Sequence, residues 1–163
     1  NLIPVFGENE MKILDVLPKE AILADLMAVD KKGVLEELVV PVAKISGVNH
    51  EDLVKVLMDR EQLGSTGIGD GIGIPHGKVK DLTSLILGFG LSRKGVDFDS
   101  MDGLPAHIFF LLITPENSTG LHLKLLARIS KILKNDLFKE KLLRATSPDE
   151  IYSIIKEEEE EEF

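Results

Sequence analysis

One histidine stands at the end of a stretch with an unusual amount of glycine. Residues 65–78 read STGIGDGIGIPHGK, with glycine at every second position from 67 to 73. A neutral imidazole is a nucleophile that forms covalent intermediates in group transfer. Pro75 fixes a backbone dihedral immediately before His76, and glycine lets another molecule approach the backbone closely. We therefore expect a rigid platform that presents His76 to a large partner, with Gly77 leaving the far side of the ring open.

The glycines do not match the two common phosphate-binding loops. A P-loop ending at Gly77-Lys78 would need glycine at position 72 and a hydroxyl residue at position 79, where isoleucine and valine stand. In G-x-G-x-x-G, isoleucine occupies the last glycine position in the registers that begin at Gly67 and at Gly69. This spacing argues against nucleotide binding, and we expect no cofactor.

The histidines and aspartates do not form a recognisable metal site. The four histidines are widely separated, at positions 50, 76, 107 and 122. The aspartates of residues 97–102 resemble a calcium loop, but their intervals are wrong and its twelfth position is Ile108 instead of glutamate. We expect a turn at residues 97–102 and no bound metal.

Two further side chains could act on an anion held at His76. His122 lies in the first turn of a predicted helix, on the face that carries Leu125 and Leu126. A helix N-terminus attracts anions and disfavours a protonated imidazole. Arg60 ends the helix before the glycine stretch, and a guanidinium can donate two parallel hydrogen bonds to phosphate. Taken alone, His122 is also explained by core packing and Arg60 by an ordinary surface position.

The elements that must position these residues alternate between strands and helices. Apolar spacing and turn residues predict strands at 21–28, 84–91 and 106–113 and helices at 34–46, 50–62, 120–134, 136–145 and 147–156. We expect Asn49, Ser147 and either Ser118 or Thr119 to cap the helices that follow them. The pattern predicts a single α/β domain, with a mixed sheet sandwiched between helices.

Composition limits the classes of protein to which the chain can belong. It has 163 residues, 44% of them hydrophobic, with no cysteine and a net charge of −9. Six of the negative charges lie in residues 157–163, which we expect to form an acidic, disordered tail, and residues 1–10 look like a leader or an artificially added segment. Glu8 and Glu10 supply two more negative charges, so residues 11–156 have a net charge near −1 and we expect no nucleic-acid partner. No apolar run reaches the ~18 residues of a membrane span, and we expect a cytoplasmic protein with no direct membrane insertion.

Two long segments resemble a known family. They are DREQLGSTGIGDGIGIPHGK at 59–78 and VDFDSMDGLPAHIFFLLITPENSTGLHLKLLARISKIL at 96–133. Together they resemble the type-2 enzyme IIA domain of the bacterial phosphoenolpyruvate-dependent sugar phosphotransferase system, the fructose/mannitol class that also contains the nitrogen-regulatory enzyme IIA. The resemblance extends over about residues 11–156. Gly73 stands where the family commonly has alanine, and the glutamate run is not a family feature.

The resemblance implies a fold, a reaction and partners. The fold is a mixed sheet of about five strands between helices. His76 would be phosphorylated by the phosphocarrier protein HPr and would pass the phosphoryl group to an enzyme IIB domain, which makes the chain a phosphotransferase with a phosphohistidine intermediate. Arg60 and His122 match the supporting arginine and second histidine, and Thr66 falls in the Ser-Thr position near the site.

The resemblance leaves the biological role open. In one interpretation the chain is a transport component that feeds a fructose- or mannitol-type sugar permease. In the other it is a nitrogen-regulatory enzyme IIA, whose phosphorylation state controls its binding to other proteins. A binding module without chemistry is the third possibility.

Overall fold

The computed structural model describes residues 11–118 and 120–163, so the predicted leader at 1–10 lies outside the described residues. The helices are α1 (Ile13–Val16), α2 (Lys31–Ser46), α3 (His50–Gln62), α4 (Leu121–Ile132), α5 (Asp136–Arg144) and α6 (Pro148–Glu162), with a 3₁₀ turn at Lys19–Ala21. The strands are β1 (Ile22–Leu23), β2 (Gly67–Gly69), β3 (Ile72–Gly73), β4 (His76–Val79), β5 (Ile86–Val96) and β6 (Ala106–Pro115). Across the described residues, no helix has both the length and the hydropathy needed to cross a membrane.

Strand β6 is the centre of a mixed sheet. Strand β5 pairs with one side of β6 antiparallel, and β1 adds to β5 in parallel. The other side of β6 is shared, because β3 pairs in parallel with its first half and β4 with its second half. All residues from 108 to 113 are buried, which requires cover on both faces of the sheet. Helices α2 and α3 pack on β5 and β4, while α4 and α5 pack on α6. The predicted α/β fold with a mixed sheet between helices is confirmed.

Local capping explains where the helices around the site begin and end. The Asn49 side chain accepts a hydrogen bond from the Asp52 amide at the start of α3. The Ser147 hydroxyl accepts one from the Glu150 amide in the same way at α6. At α4 the helix begins after Gly120 without a side-chain cap among the described residues, so Ser118, one of the two expected caps, does not supply one. The alternative cap, Thr119, lies outside the described residues.

The strand predicted at 21–28 is much shorter in the structure. Ile22 and Leu23 form the strand that pairs with β5, and after them the Leu26 amide donates to the Leu91 carbonyl oxygen of β5 at 2.8 Å. The amides of Met27 and Ala28 instead donate to the carboxylate of Glu37 on α2, at 2.9–3.0 Å. The chain therefore leaves the sheet because a side chain of a distant helix satisfies its backbone donors.

The disordered tail predicted at 157–163 is wrong, because α6 continues to Glu162. Glu159 lies four residues after Ile155, so helical spacing turns both side chains to the same buried face. The Glu159 carboxylate accepts hydrogen bonds from the Ile13 amide at 2.8 Å and from Arg128 Nε at 2.7 Å. The neighbouring Glu158 accepts one from the Asn135 side chain. Burial of these charges is tolerated because cations and N–H groups pair with them.

Candidate functional site

The His76 ring is held in one orientation by its own backbone. His76 begins β4 and pairs with Leu112 of β6. Its Nδ1 lies 2.9 Å from the carbonyl oxygen of Ile74. A carbonyl oxygen only accepts hydrogen bonds, so Nδ1 carries the hydrogen and Nε2 keeps the lone pair. In the neutral form of this half-buried imidazole, the free lone pair is therefore on Nε2, the ring nitrogen that can act as a nucleophile.

A cavity of about 510 Å³ opens beside this ring. It is lined from four elements, α3, β4, β6 and α4, and from the residue just after α3. The lining residues are Val56, Asp59, Arg60, Leu63, His76, Gly77, Lys78, Leu112, Thr114 and His122. His76, Arg60 and His122, three of the four site residues named from the sequence, thus line one cavity.

Arg60 lies in the last turn of α3, where the helix ends against the cavity. Its Nη1 donates to the carbonyl oxygen of Gly64 at 2.8 Å, a contact that ties the side chain to the loop after the helix. A guanidinium has five N–H donors, so the group can hold this carbonyl and also bind an anion. Leu63, three residues later, is 85% exposed and forms an apolar rim.

His122 is the second residue of α4. Burial lowers the pKa of its imidazole below the usual 6.5, and electrostatic repulsion from Lys78 and from the neighbouring His76 ring lowers it further, although a hydrogen bond to the Ser118 backbone opposes the shift. The ring is therefore neutral at pH 7. The first amides of α4 lack helical acceptors and face the same end of the helix. Neutral His122 and this helix terminus together suit an anion in the cavity.

Thr66 does not line the cavity with the other three residues. The residue is buried, its amide donates to Glu61 Oε1 at 3.1 Å, and its hydroxyl donates to Glu61 Oε2. The hydroxyl therefore bonds to the Glu61 carboxylate, and this bond does not involve the His76 ring. Thr66 therefore anchors the start of the glycine stretch to α3.

The glycines at positions 71 and 77 allow a tight turn and close packing, and they do not serve to leave the site open. A Cβ atom at Gly77 would lie 2.6 Å from Cγ1 of Val56, so the expectation that Gly77 leaves one side of His76 open is wrong. Glycine is needed there because α3 packs directly on β4. Asp70 and Gly71 both have positive φ, 55° and 78°, and form the two-residue hairpin turn between β2 and β3.

Sequence reasoning missed several residues of the cavity, among them Lys78, Leu112 and Thr114. Lys78 lies two residues after His76 on β4, and alternate residues of a strand share a face, so this spacing was a usable signal. Leu112 and Thr114 come from β6, and Thr114 Oγ1 lies 3.5 Å from the Gly77 carbonyl oxygen. No local signal marks these two, because only the parallel register of β4 on β6 brings them to the site.

Comparisons with known proteins agree on one family. The family model for the phosphoenolpyruvate-dependent sugar phosphotransferase system, EIIA 2, matches residues 15–158. A nitrogen regulatory protein of Bradyrhizobium diazoefficiens is 39% identical over 145 residues, which are 89% of this chain and 95% of that protein. The fructose-specific EIIABC component of Bacillus subtilis is 38% identical over 146 residues, 89% of this chain but only 23% of that longer protein. The crystal structure of the nitrogen regulatory protein IIA-Ntr from Neisseria meningitidis superposes with a TM-score of 0.82 at 34% identity, and the match extends over 86% of this chain and 97% of that one.

Proposed function

Because the chain belongs to the EIIA type 2 family of the phosphoenolpyruvate-dependent sugar phosphotransferase system, we propose that His76 accepts a phosphoryl group on Nε2 and passes it to a partner protein. The observation that carries the proposal is the bond from Nδ1 to the Ile74 carbonyl oxygen, which leaves the Nε2 lone pair for attack. The cavity with its positively charged Arg60 and Lys78 supports the same assignment.

The reaction needs little from the protein beyond orientation and charge. The Nε2 lone pair of His76 forms a bond to phosphorus while the bond between phosphorus and its donor atom in phosphorylated HPr breaks, and the leaving electron pair stays with HPr. The hydrogen on Nδ1 stays in its bond to Ile74, so no base is required. Arg60, Lys78 and the amides at the start of α4 stabilise the charge of the phosphoryl oxygens.

The acceptor defines two routes. In the first, phosphorylated His76 passes its group to an enzyme IIB domain of a fructose- or mannitol-type permease, and the name of the Bacillus subtilis relative supports this route. In the second, the phosphorylated and unphosphorylated forms bind different regulatory targets, and the nitrogen regulatory relative supports that route. Both routes use the same phosphohistidine.

The site assignment is tested with radioactive phosphoenolpyruvate, enzyme I and HPr. The chain should take up label that is lost in acid and retained in base, as for a phosphohistidine, and His76→Ala should take up none. His107→Ala is the matched control, because His107 also bonds a backbone carbonyl through Nδ1, to Ser92 at 2.9 Å, but lies outside the cavity. Labelling of His76→Ala at the wild-type level would refute the assignment.

A second experiment separates the two routes. A purified fructose-type enzyme IIB is added to the labelled chain. Rapid loss of label to the IIB domain supports the transport route. Retention of the label, together with a protein target that binds the chain in only one phosphorylation state, supports the regulatory route.

A further inference from the structure

We infer that Glu61 is a positioning residue for His76: its buried carboxylate holds Thr66, and through Thr66 and Ile74 it orients the imidazole. The kinetic part of this inference rests on the proposed function, whereas the ring orientation can be measured without it. Glu61 touches neither the cavity nor the reacting nitrogen. It acts through a short series of hydrogen bonds.

Both carboxylate oxygens of Glu61 accept hydrogen bonds from Thr66, at the start of the glycine stretch. Glu61 lies in the last turn of α3 and is 7% exposed. Oε1 accepts from the Thr66 amide at 3.1 Å and from Lys31 Nζ at 3.0 Å, and Oε2 accepts from the Thr66 hydroxyl. Because two groups of one residue bond to one carboxylate, Thr66 has little freedom to rotate about its backbone.

Two further bonds connect Thr66 to the reactive ring. The Thr66 carbonyl oxygen accepts from the Ile74 amide at 2.9 Å, and the Ile74 carbonyl oxygen accepts from His76 Nδ1 at 2.9 Å. The segment between them, residues 67–73, contains four glycines, each of which can adopt more backbone conformations than other residues. The bond from Thr66 to Ile74 closes the base of this hairpin, so an anchor at Thr66 fixes the carbonyl that selects the His76 tautomer.

A paired cation, Lys31, compensates the buried carboxylate of Glu61. Lys31 Nζ also lies 3.0 Å from Asp99 Oδ2 and 4.8 Å from the centre of the Phe98 ring. Burial alone would lower the pKa of Lys31, but its hydrogen bonds to Glu61 and Asp99 outweigh burial and raise the pKa. Lys31 therefore carries a positive charge that compensates the buried carboxylate.

The last turn of α3 also holds the loop that follows it. Arg60 immediately precedes Glu61 in the last turn of α3, and its side chain holds the Gly64 carbonyl oxygen at 2.8 Å. The last turn of α3 thus holds the loop that follows it through Arg60 and the start of the glycine stretch through Glu61. An apolar pair in place of Lys31 and Glu61 would pack without the cost of desolvating two charges. The positioning role of Glu61 explains why an ion pair is buried here instead.

The experiment measures the tautomer of His76 by ¹⁵N NMR of the imidazole ring in the folded, full-length chain. The wild type should show one neutral tautomer with hydrogen on Nδ1. Glu61→Gln, which removes the charge and one acceptor oxygen, and Thr66→Val, which removes only the hydroxyl, should both show a second tautomer with hydrogen on Nε2. Thr66→Ser retains the hydroxyl and should restore the wild-type spectrum.

The matched control is Glu159→Gln. Glu159 is a carboxylate of similar burial, 3% exposed, that also bonds a cation and a backbone amide, but its partners Arg128 and Ile13 do not line the His76 cavity. This variant should lose stability and keep the single Nδ1–H tautomer. A second tautomer in Glu159→Gln would show general loosening and would overturn the inference.

Transfer kinetics supply the functional readout. Transfer from phosphorylated HPr should fall about threefold to tenfold in Glu61→Gln and Thr66→Val. This is the range expected when the one neutral hydrogen bond that orients the ring, from His76 Nδ1 to the Ile74 carbonyl oxygen, is weakened. A single Nδ1–H tautomer in the folded Thr66→Val variant would overturn the inference whether or not Glu61→Gln folds. If the wild type accepts no phosphate while the variants change tautomer, the proposed function fails and the positioning role stands.

Discussion

Gly77→Ala tests whether close packing of β4 on α3 places His76 against Arg60. A Cβ atom at position 77 would lie 2.6 Å from Cγ1 of Val56 and 3.6 Å from Cδ2 of Leu57. Carbon atoms pack at about 3.5–4.0 Å, so the new methyl group pushes strand and helix apart by about 1 Å. His76 precedes this residue on β4, and Arg60 lies one helical turn after Val56. The same displacement therefore separates His76 from Arg60.

The size of the effect follows from the clash. Forcing an extra methyl group into a packed site costs about 1–3 kcal/mol of unfolding free energy. For a domain of this size the melting temperature falls by about 2–12 °C. A displacement of about 1 Å in a catalytic group costs up to about a hundredfold in rate. We expect phosphoryl transfer from HPr to fall about tenfold to a hundredfold in Gly77→Ala.

A compensating change makes the prediction specific. Val56→Ala removes the atoms that Gly77→Ala would strike, so the double variant should recover most of the transfer rate. Its stability should exceed the additive expectation by about 1 kcal/mol or more, since the two positions are in contact. Thermal unfolding and single-turnover transfer are measured on all four proteins. Wild-type stability and rate in Gly77→Ala, or strict additivity in the double variant, would refute the packing argument.

Three further predictions concern the cavity and α6. Arg60→Ala should slow transfer about tenfold to a hundredfold with little change in melting temperature, because a charge-assisted hydrogen bond to phosphate contributes about 1.5–3 kcal/mol; equal single-turnover rates would contradict this. NMR titration of His122 should give a pKa below 6.5, and phosphorylation of His76 should raise it because the phosphate favours imidazolium. Since the unfolded chain binds that proton more readily, this histidine's contribution to stability is lost as pH falls below about 6.5. Deletion of residues 157–163 removes the buried partner Glu159 and should lower the melting temperature by about 6 °C or more in differential scanning calorimetry.

Local rules were sufficient where the cause is local. Asn49 bonds an amide three residues away, and α3 runs from residue 50 to 62 as its apolar spacing predicts. Gly47 ends α2 with φ 79°, a conformation that glycine adopts at little cost. The Asp70-Gly71 turn is also local, and its Asp-Gly signature was available in the sequence. Such features need no information beyond a few neighbouring residues.

The site required contacts between distant segments. The sequence by itself proposed His76, Arg60 and His122 as candidate site residues, because their residue types and motif resemble a known family, and the structure shows that they line one cavity. Thr66 also matches that motif, but its hydroxyl bonds to the buried carboxylate of Glu61, which only the folded structure shows.

The last helix shows the same division. A run of glutamates predicts a solvated tail, because isolated charges avoid burial. The chain instead brings Arg128 of α4 and the amide of Ile13 to the Glu159 carboxylate, so ionic and hydrogen-bonding partners replace water. The sequence alone determined which elements form and which residues can do chemistry, since periodicity, capping and residue type are local properties. Tertiary structure decided that Gly77 packs against Val56 and that Glu159 is buried, because both depend on partners that are remote in the chain.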